Sequence, residues 1–380
     1  MRVLLFIGTL RTGGAERQFG VLADGLLGNG VETLLTTMTP GGPNWERFAA
    51  GHAHDVVSLE PRAQRGGVDA ARQHLAAPVE LRRLIRRFRP DVVYSALEMT
   101  NAIAWMATRG TRTALAWGVR SSEEDLNIKR AAPFQFCRLV SGTVPLAIAN
   151  ARAARDLHIR RGFRPKRFEV VANGIDTDHF RPDAEARAAR RREWGVTAGQ
   201  TVIGTVGRLV APKGHEVLLR AARDVLAQLP DARFVVVGDG KAPDRDRLAA
   251  DAARLGLDGK VLWLGHRPDT ADVYPGFDVF CLPSLSESFP NVVGEAMACG
   301  LDCVVTDVGD APVIVGGTGR VVPPGDPVKL AENIIWAARH SADRDGDARR
   351  QRIVDAFSVA RMVRRTHDLL ESLVASTSPS

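Results

Sequence analysis

Two acids and two cations in the second half of the chain have the types and spacing to do chemistry. Arg208 and Lys213 stand in GRLVAPKG, Gly207 to Gly214, directly after the apolar run TVIGTV. An arginine presents a planar fork and a lysine a point charge, a combination suited to two neighbouring phosphates. Glu287 and Glu295 flank a proline and a short apolar run in ESFPNVVGE. Pro290 fits a first helical position, and Val292, Val293, Ala296 and Met297 recur as one apolar helix face. Glu287 then lies in the loop before the helix, and Glu295 about 7.5 Å further along its axis. The helix start at Pro290, Asn291 and Val292 presents backbone amides that attract an anion. Neither glutamate suits a phosphate directly, because a like-charge pair at ~6 Å and an effective dielectric of ~20 costs roughly 3 kcal/mol. They suit hydroxyls on either side of a phosphate. A ligand with hydroxyls, then diphosphate, then hydroxyls has the layout of a nucleotide sugar. The bland alternative is a pair of solvated loop cations, a capping carboxylate and an exposed helix acid.

These residues need a scaffold that brings distant loops together. Short Val, Ile and Leu runs alternate with longer amphipathic stretches along the whole chain, the pattern of βαβ units in a parallel sheet. VLLFIG, VETLLTT, DVVSL, DVVYSA, TALAWG, LAIAN and FEVVAN read as strands of a first series; TVIGTVG, RFVVVGDG, VLWLG, DVFCLPS, DCVVTDVG and RVVPPG read as a second. Between them DAEARAARRREWG reads as a polar helix, and the division falls near Arg181. Glycine or charge clusters follow several of the strands, and open parallel sheets bind ligands beyond the carboxyl ends of their strands. One such cluster is RTGGAER, Arg11 to Arg17. Gly13 and Gly14 there let backbone approach a ligand or simply form a tight turn. The segment lacks the third glycine of a dinucleotide fingerprint, and GRLVAPKG is not a Walker loop, since no Gly-Lys-Ser/Thr ends it.

Composition narrows the class. At 380 residues, 45% hydrophobic and 25% charged, the chain has the makeup of a globular protein of two domains. MRVLLFIGTL reads as a buried first strand rather than a signal peptide, because Arg11, Glu16 and Arg17 follow at once without a cleavage pattern. Cys137, Cys281, Cys299 and Cys303 are too few and too uneven for a disulfide framework or a metal site, so they read as small core residues in a reducing cytoplasm. Residues 1–180 carry 25 Lys and Arg against 17 Asp and Glu, whereas residues 181–380 carry 26 against 27. All of the basic excess is therefore in the first half. Much of it lies in LRRLIRRFRP, Leu81 to Pro90, whose apolar residues recur at helical spacing. It reads either as a solvated helix face or as a surface drawn to anionic lipid or a phosphorylated acceptor. Nucleic acid is not indicated, because no aromatics interleave the arginines.

GRLVAPKG, the paired acids of ESFPNVVGE, VVANGIDTDHFRP (Val170 to Pro182), GGAER, TDVGDAP and VVPPGDP together resemble the retaining glycosyltransferases of family 4. The resemblance spans nearly the whole chain and implies the GT-B fold: two Rossmann-like, doubly wound α/β domains with parallel sheets, facing a central cleft. It implies an acceptor-binding domain over residues 1–181, completed by a terminal crossover helix over 357–374, and a nucleotide-sugar domain over 182–356. It gives Arg208 and Lys213 to the donor diphosphate, Glu287 to the transferred sugar and Glu295 to the ribose. Arg267, in LGHRPD, stands where such enzymes contact the base, or is a plain surface arginine. Gly13 and Gly14 would face phosphate and acceptor. Many relatives carry a histidine where this chain reads GVRSSEED, so Arg120 or Ser121 stands in its place. Where relatives often have HSH, this chain has DVVYSALEMTN, in which Glu98 and Asn101 could face the acceptor, or Asn101 could cap a helix.

The activity so implied is transfer of a sugar from a UDP- or GDP-linked donor to a hydroxyl of a glycan or lipid-linked glycan, without a metal or other cofactor. Its setting would be polysaccharide or cell-envelope synthesis in the cytoplasm or on the inner membrane face. Another nucleotide-sugar reaction on the same fold, epimerisation or hydrolysis, and a non-catalytic partner subunit are the alternatives. A NAD-dependent oxidoreductase is disfavoured by the missing glycine fingerprint.

Overall fold

The computed structural model describes residues 1–11, 13–50, 55–59, 68–120, 132–197, 199–340 and 346–377. Ser121 lies outside them. The chain forms two compact units, residues 1–174 with 359–380, and residues 175–358.

The first unit alternates strand and helix: β1 (Arg2–Ile7), α1 (Gly14–Gly28), β2 (Glu32–Thr37), α2 (Pro43–Ala50) and β3 (Asp55–Ser58). It continues with α3 (Val68–Phe88), β4 (Val92–Ala96), α4 (Glu98–Thr108), β5 (Ala114–Val119), α5 (Ala132–Val140), β6 (Leu146–Ala149), α6 (Arg152–Arg160) and β7 (Arg167–Val170). Its seven strands are parallel in the order β3-β2-β1-β4-β5-β6-β7. Val3 to Ile7 are fully buried, as a strand with helices on both faces must be.

The second unit holds α7 (Ala184–Glu193), β8 (Val202–Val206), α8 (His215–Gln228), β9 (Arg233–Val237), α9 (Ala242–Arg254), β10 (Val261–Gly265), α10 (Thr270–Val273) and β11 (Val279–Leu282). After these come α11 (Asn291–Ala298), β12 (Asp302–Thr306), α12 (Ala311–Val315), β13 (Arg320–Val322), α13 (Pro327–Arg339) and α14 (Gly346–Phe357). Six parallel strands run β10-β9-β8-β11-β12-β13. The polar helix expected between the two series is α7. Asp183 caps it, and Arg187 and Arg191 clamp Asp278 at the foot of β11.

In each sheet the order reverses once, between β1 and β4 and between β8 and β11. Helices on opposite faces leave a crevice beyond the carboxyl ends of the two strands at such a reversal. The loop holding Arg208 and Lys213 leaves β8, and the loop holding Glu287 leaves β11.

The last helix, α15 (Val359–Thr377), packs against α1 in the first unit and buries Leu369, Leu370 and Leu373 in that core. The division between units lies at Gly174, several residues before Arg181. The Gln18 side chain accepts from the Gly174 N–H and donates to its carbonyl, both at 2.9 Å, which fastens Gly174 to α1. The next residue, Ile175, belongs to the other core: its N–H donates to the Phe357 carbonyl and its side chain lies against Gly294. Gln18 is 1% exposed, so Gln18→Ala leaves the buried Gly174 carbonyl without this donor and its N–H with only the weak Met362 sulfur acceptor at 3.1 Å. The expected loss is about 1–3 kcal/mol in the urea unfolding transition of the first unit.

Candidate functional site

The loop after β8 is a short chain of constraints. Gly214 has φ +65° and a Cβ there would collide with the Pro283 carbonyl, so glycine lets this loop touch the one after β11. The Leu285 N–H donates to the Pro212 carbonyl at 2.8 Å across the same seam. Side chains close it: Lys213 Nζ meets Glu287 Oε1 at 2.6 Å, and the Ser284 hydroxyl donates to the same oxygen at 2.8 Å. The Glu287 side chain is 9% exposed and that of Lys213 25%. Lys213 thus neutralises Glu287, and the repulsion expected between Glu287 and a bound phosphate is largely cancelled. Arg208 is exposed and its guanidinium has no partner among the described residues.

The loop after β11 rests on the loop after β12. The Asp310 N–H donates to the Ser288 carbonyl at 2.9 Å, and the Thr306 hydroxyl to the Ser284 carbonyl at 2.6 Å. Gly309, at φ +55°, passes so close to the Glu287 and Ser288 carbonyls that a Cβ would not fit.

Pro290 is the N-cap of α11 rather than its first residue; its ψ of 93° is extended, and Asn291 opens the helix. Val292 is half-buried, whereas Val293, Ala296 and Met297 are fully buried. Glu295 is 3% exposed and its Oε2 accepts from the Tyr274 hydroxyl at 2.8 Å. It is therefore a buried, oriented acid and not an exposed helix acid. Arg267 holds Asp269 through two hydrogen bonds, at 2.8 and 2.7 Å, and Glu193 at 2.8 Å. These bonds, to Asp269 first, hold its guanidinium above its ordinary pKa, and they hold both carboxyls below theirs. Its side chain is a brace, not a free surface arginine.

In the first unit, Gly13 is the N-cap of α1 and Gly14 its first residue. The Glu16 carboxylate folds back onto Gly13, occupying the space a Cβ would need. The end of the helix that was expected to meet phosphate is faced by the chain's own acid. Asn101 neither caps α4 nor faces outward. It lies inside that helix, 4% exposed, accepting from the Ser95 hydroxyl at 2.7 Å and donating to the Gly118 carbonyl at 3.0 Å. Both ends of its amide are taken up in tying β4, α4 and β5 together. Leu97, the N-cap of α4, has φ +78°, a left-handed conformation costly for a leucine. Glu98 opens α4, and its carboxylate lies 3.9 Å from Nε2 of the buried His158.

Arg120 follows β5. Its guanidinium donates to Asn173 Oδ1 at 2.8 Å and lies 5.0 Å from the centre of the Phe19 ring. Burial raises the Tyr94 pKa, and the charge of Arg120 and a hydrogen bond from it oppose that rise. Arg120 is thus a fixed cation at the carboxyl end of β5.

Sequence reasoning passed over Ser284, Tyr274 and His215. The two tyrosines of the chain, Tyr94 and Tyr274, are both buried, and a buried phenol needs a polar partner. In the structure those partners are Arg120 for Tyr94 and Glu295 for Tyr274. His215 is 4% exposed, and its Nε2 bonds the Arg208 carbonyl at 3.0 Å, closing the loop from Arg208 to Gly214. The four cysteines are free and buried, and burial pushes the Cys281, Cys299 and Cys303 thiols up.

Two comparisons of sequence and one of structure bear on this arrangement. Residues 12–179 match the family described as Glycosyltransferase Family 4, and residues 200–340 that described as Glycosyl transferases group 1. The D-inositol 3-phosphate glycosyltransferase of Mycobacterium sp. (strain KMS) is 41% identical over 171 residues, 43% of this chain and 37% of that protein. The protein of the same name from Corynebacterium kroppenstedtii is 33% identical over 246 residues, 60% of this chain and 53% of that protein. The chain thus spans between about a third and a half of the curated relatives it matches. Among solved structures, Anabaena HepE in complex with UDP superposes with a TM-score of 0.81 at 23% identity, over 98% of this chain and 100% of that one. HepE is also described with UDP-glucose. Sucrose-phosphate synthase of Thermosynechococcus elongatus gives 0.80 at 18% identity, over 99% and 100%. These likenesses make the fold GT-B.

Burial, the largest cause, and then the charge of Lys213 lower the pKa of His215 from 6.5, against the opposing bond to Arg208. A base whose folded pKa is depressed stabilises the protein above its unfolded pKa and loses that contribution as pH falls through the window below 6.5. His215→Asn is expected to flatten the fall of the second unit's stability as pH drops below about 6.5; the check is urea denaturation at a series of pH values.

Proposed function

The chain belongs to glycosyltransferase family 4, and we propose that it moves a sugar from a nucleoside diphosphate donor to an acceptor hydroxyl with retention at the anomeric carbon. The observation that carries the proposal is the Lys213–Glu287 pair at the strand-order reversal of the second unit, beside an exposed Arg208 and the start of α11. Breaking a glycosyl–phosphate bond builds negative charge on the leaving diphosphate and positive charge on the sugar ring. Arg208, Lys213 and the α11 N-terminus around Pro290, Asn291 and Val292 are the preorganised partners for the first charge. Glu287, already holding Lys213, takes the sugar hydroxyls. Phosphate and sugar are thereby recognised by one ion pair, and the reading needs no divalent cation.

Glu295 takes the ribose hydroxyls, with Tyr274 orienting its carboxylate. Because the Arg267 side chain is held by Asp269 and Glu193, the base would meet backbone at this position. The UDP and UDP-glucose held by Anabaena HepE support a uridine donor. On the acceptor side Glu98 and Arg120 replace the histidines of many relatives, with Gly13 and Gly14 as that side's glycine turn; Arg120 is the cation suited to an anionic acceptor. A lipid-linked glycan is the acceptor class that suits the basic first half, in polysaccharide or cell-envelope synthesis at an anionic membrane face. The relatives named for D-inositol 3-phosphate add a phosphorylated polyol to the set.

Thermal shifts of the full chain with a panel of nucleotides and nucleotide sugars test the donor, since a ligand at 100 times its Kd adds about 2.7 kcal/mol; no shift with any nucleoside diphosphate would reject the proposal. Arg208→Ala or Lys213→Ala is expected to lower kcat about 10²–10³-fold with the fold intact by circular dichroism. Glu295→Ala should weaken nucleotide binding about tenfold or more by calorimetry. Sugar release that is equally fast without an acceptor would identify a hydrolase instead.

A further inference from the structure

The opposite edge of the first unit's sheet carries a feature that donor chemistry does not use. A cavity of about 1100 Å³ opens at the amino-terminal ends of β4, β5 and β6, away from the strand ends where the glycine turn and Arg120 lie. Its walls include Arg86, Arg89, Arg109 and Arg112, and its floor includes Trp105 and Leu115. The Arg109 guanidinium lies 5.0 Å from the centre of the Trp105 ring. Arg86, Arg89 and Arg112 are exposed, and their guanidinia have no hydrogen bond or ion pair among the described residues. Asp91 is the one acid among the lining residues, and its Oδ2 accepts from the Arg2 N–H at 2.7 Å.

Helix ends account for part of this charge. The C-termini of α3, α4 and α15 all reach the cavity, and each carries about −0.5 of an elementary charge. The α4 end is already served by Arg82, which donates to the Arg109 carbonyl at 2.9 Å. Four guanidinium charges against one carboxylate and three helix ends leave a surplus of about +1.5. Arginine's planar fork is the side chain best matched to phosphate oxygens.

We infer that this cavity is a second anion site, separate from the donor loops, which binds a ligand carrying two or more phosphates. Such phosphates occur in soluble phosphate esters and in the headgroups of anionic lipids, and the cavity's chemistry is common to both.

Inorganic tripolyphosphate is the probe, titrated by calorimetry into the 380-residue chain carrying Arg208→Ala and Lys213→Ala, which weakens the donor site independently. Binding should persist in that background and weaken at least tenfold on adding Arg86→Ala and Arg112→Ala. Those two substitutions should move the unliganded melting temperature by no more than a few degrees, since the side chains have no hydrogen bond or ion pair to lose and only the interaction of Arg86 with the α3 end is removed. Co-sedimentation with phosphatidylglycerol vesicles, but not phosphatidylcholine vesicles, that is lost with the same two arginines identifies a lipid headgroup as the source. Tripolyphosphate binding without vesicle binding identifies a soluble one. Binding that survives removal of Arg86 and Arg112, or no binding of either probe, overturns the inference. Loss of nucleotide binding in the donor-loop variants bears on the transferase reading alone.

Discussion

The ion pair between Lys213 and Glu287 is the contact on which the second unit's arrangement turns. It joins two loops that leave adjacent strands whose following helices lie on opposite sheet faces, the place where an open sheet must leave a crevice. Two neighbouring loops of opposite charge can close across such a gap only if backbone does not obstruct them. Gly214 and Gly309 remove that obstruction, one beneath Lys213 and one beneath Glu287. The pair is also partly desolvated, so removing one partner leaves the other charge under-compensated. Binding and folding are thereby coupled in the same few atoms.

The fold was legible because its signal is redundant. Each of the thirteen described strands appears as an apolar run, and inner strands such as β1, β8 and β9 carry several Val, Ile or Leu residues that are buried. No single residue decides such an element. The candidate site was legible to the level of loops, since Arg208, Lys213 and Glu287 all follow strands. The pairing of Lys213 with Glu287 was not, because it joins positions 74 apart through a Gly214 turn whose left-handed geometry is indistinguishable in sequence from any other glycine. The unit boundary shows the same limit. Nothing in NGID distinguishes Gly174, fastened by Gln18, from Ile175, whose N–H meets the Phe357 carbonyl, until both distant partners are known.

Asn101 marks a different limit. Its type is equally at home on a ligand, at a helix start or as a clip between strands, and only burial separates these uses. At 4% exposure with Ser95 and Gly118 as partners, it is the clip. Arg120 shows the converse: the missing histidine drew notice to the position, yet the cation's orientation depends on Phe19, Tyr94 and Asn173, from α1, β4 and the segment after β7. In both cases the side chain's role follows from its neighbours across the sheet.

Tyr94 and Tyr274 are the only tyrosines in the chain, one in each unit. Each phenol lies against a charged group of its own unit's candidate site, Arg120 or Glu295. Incorporation of fluorotyrosine would therefore place one fluorine nucleus beside each site and none elsewhere. The protein carries its own two-channel magnetic resonance reporter, in which events at the two units are resolved without adding a probe to either.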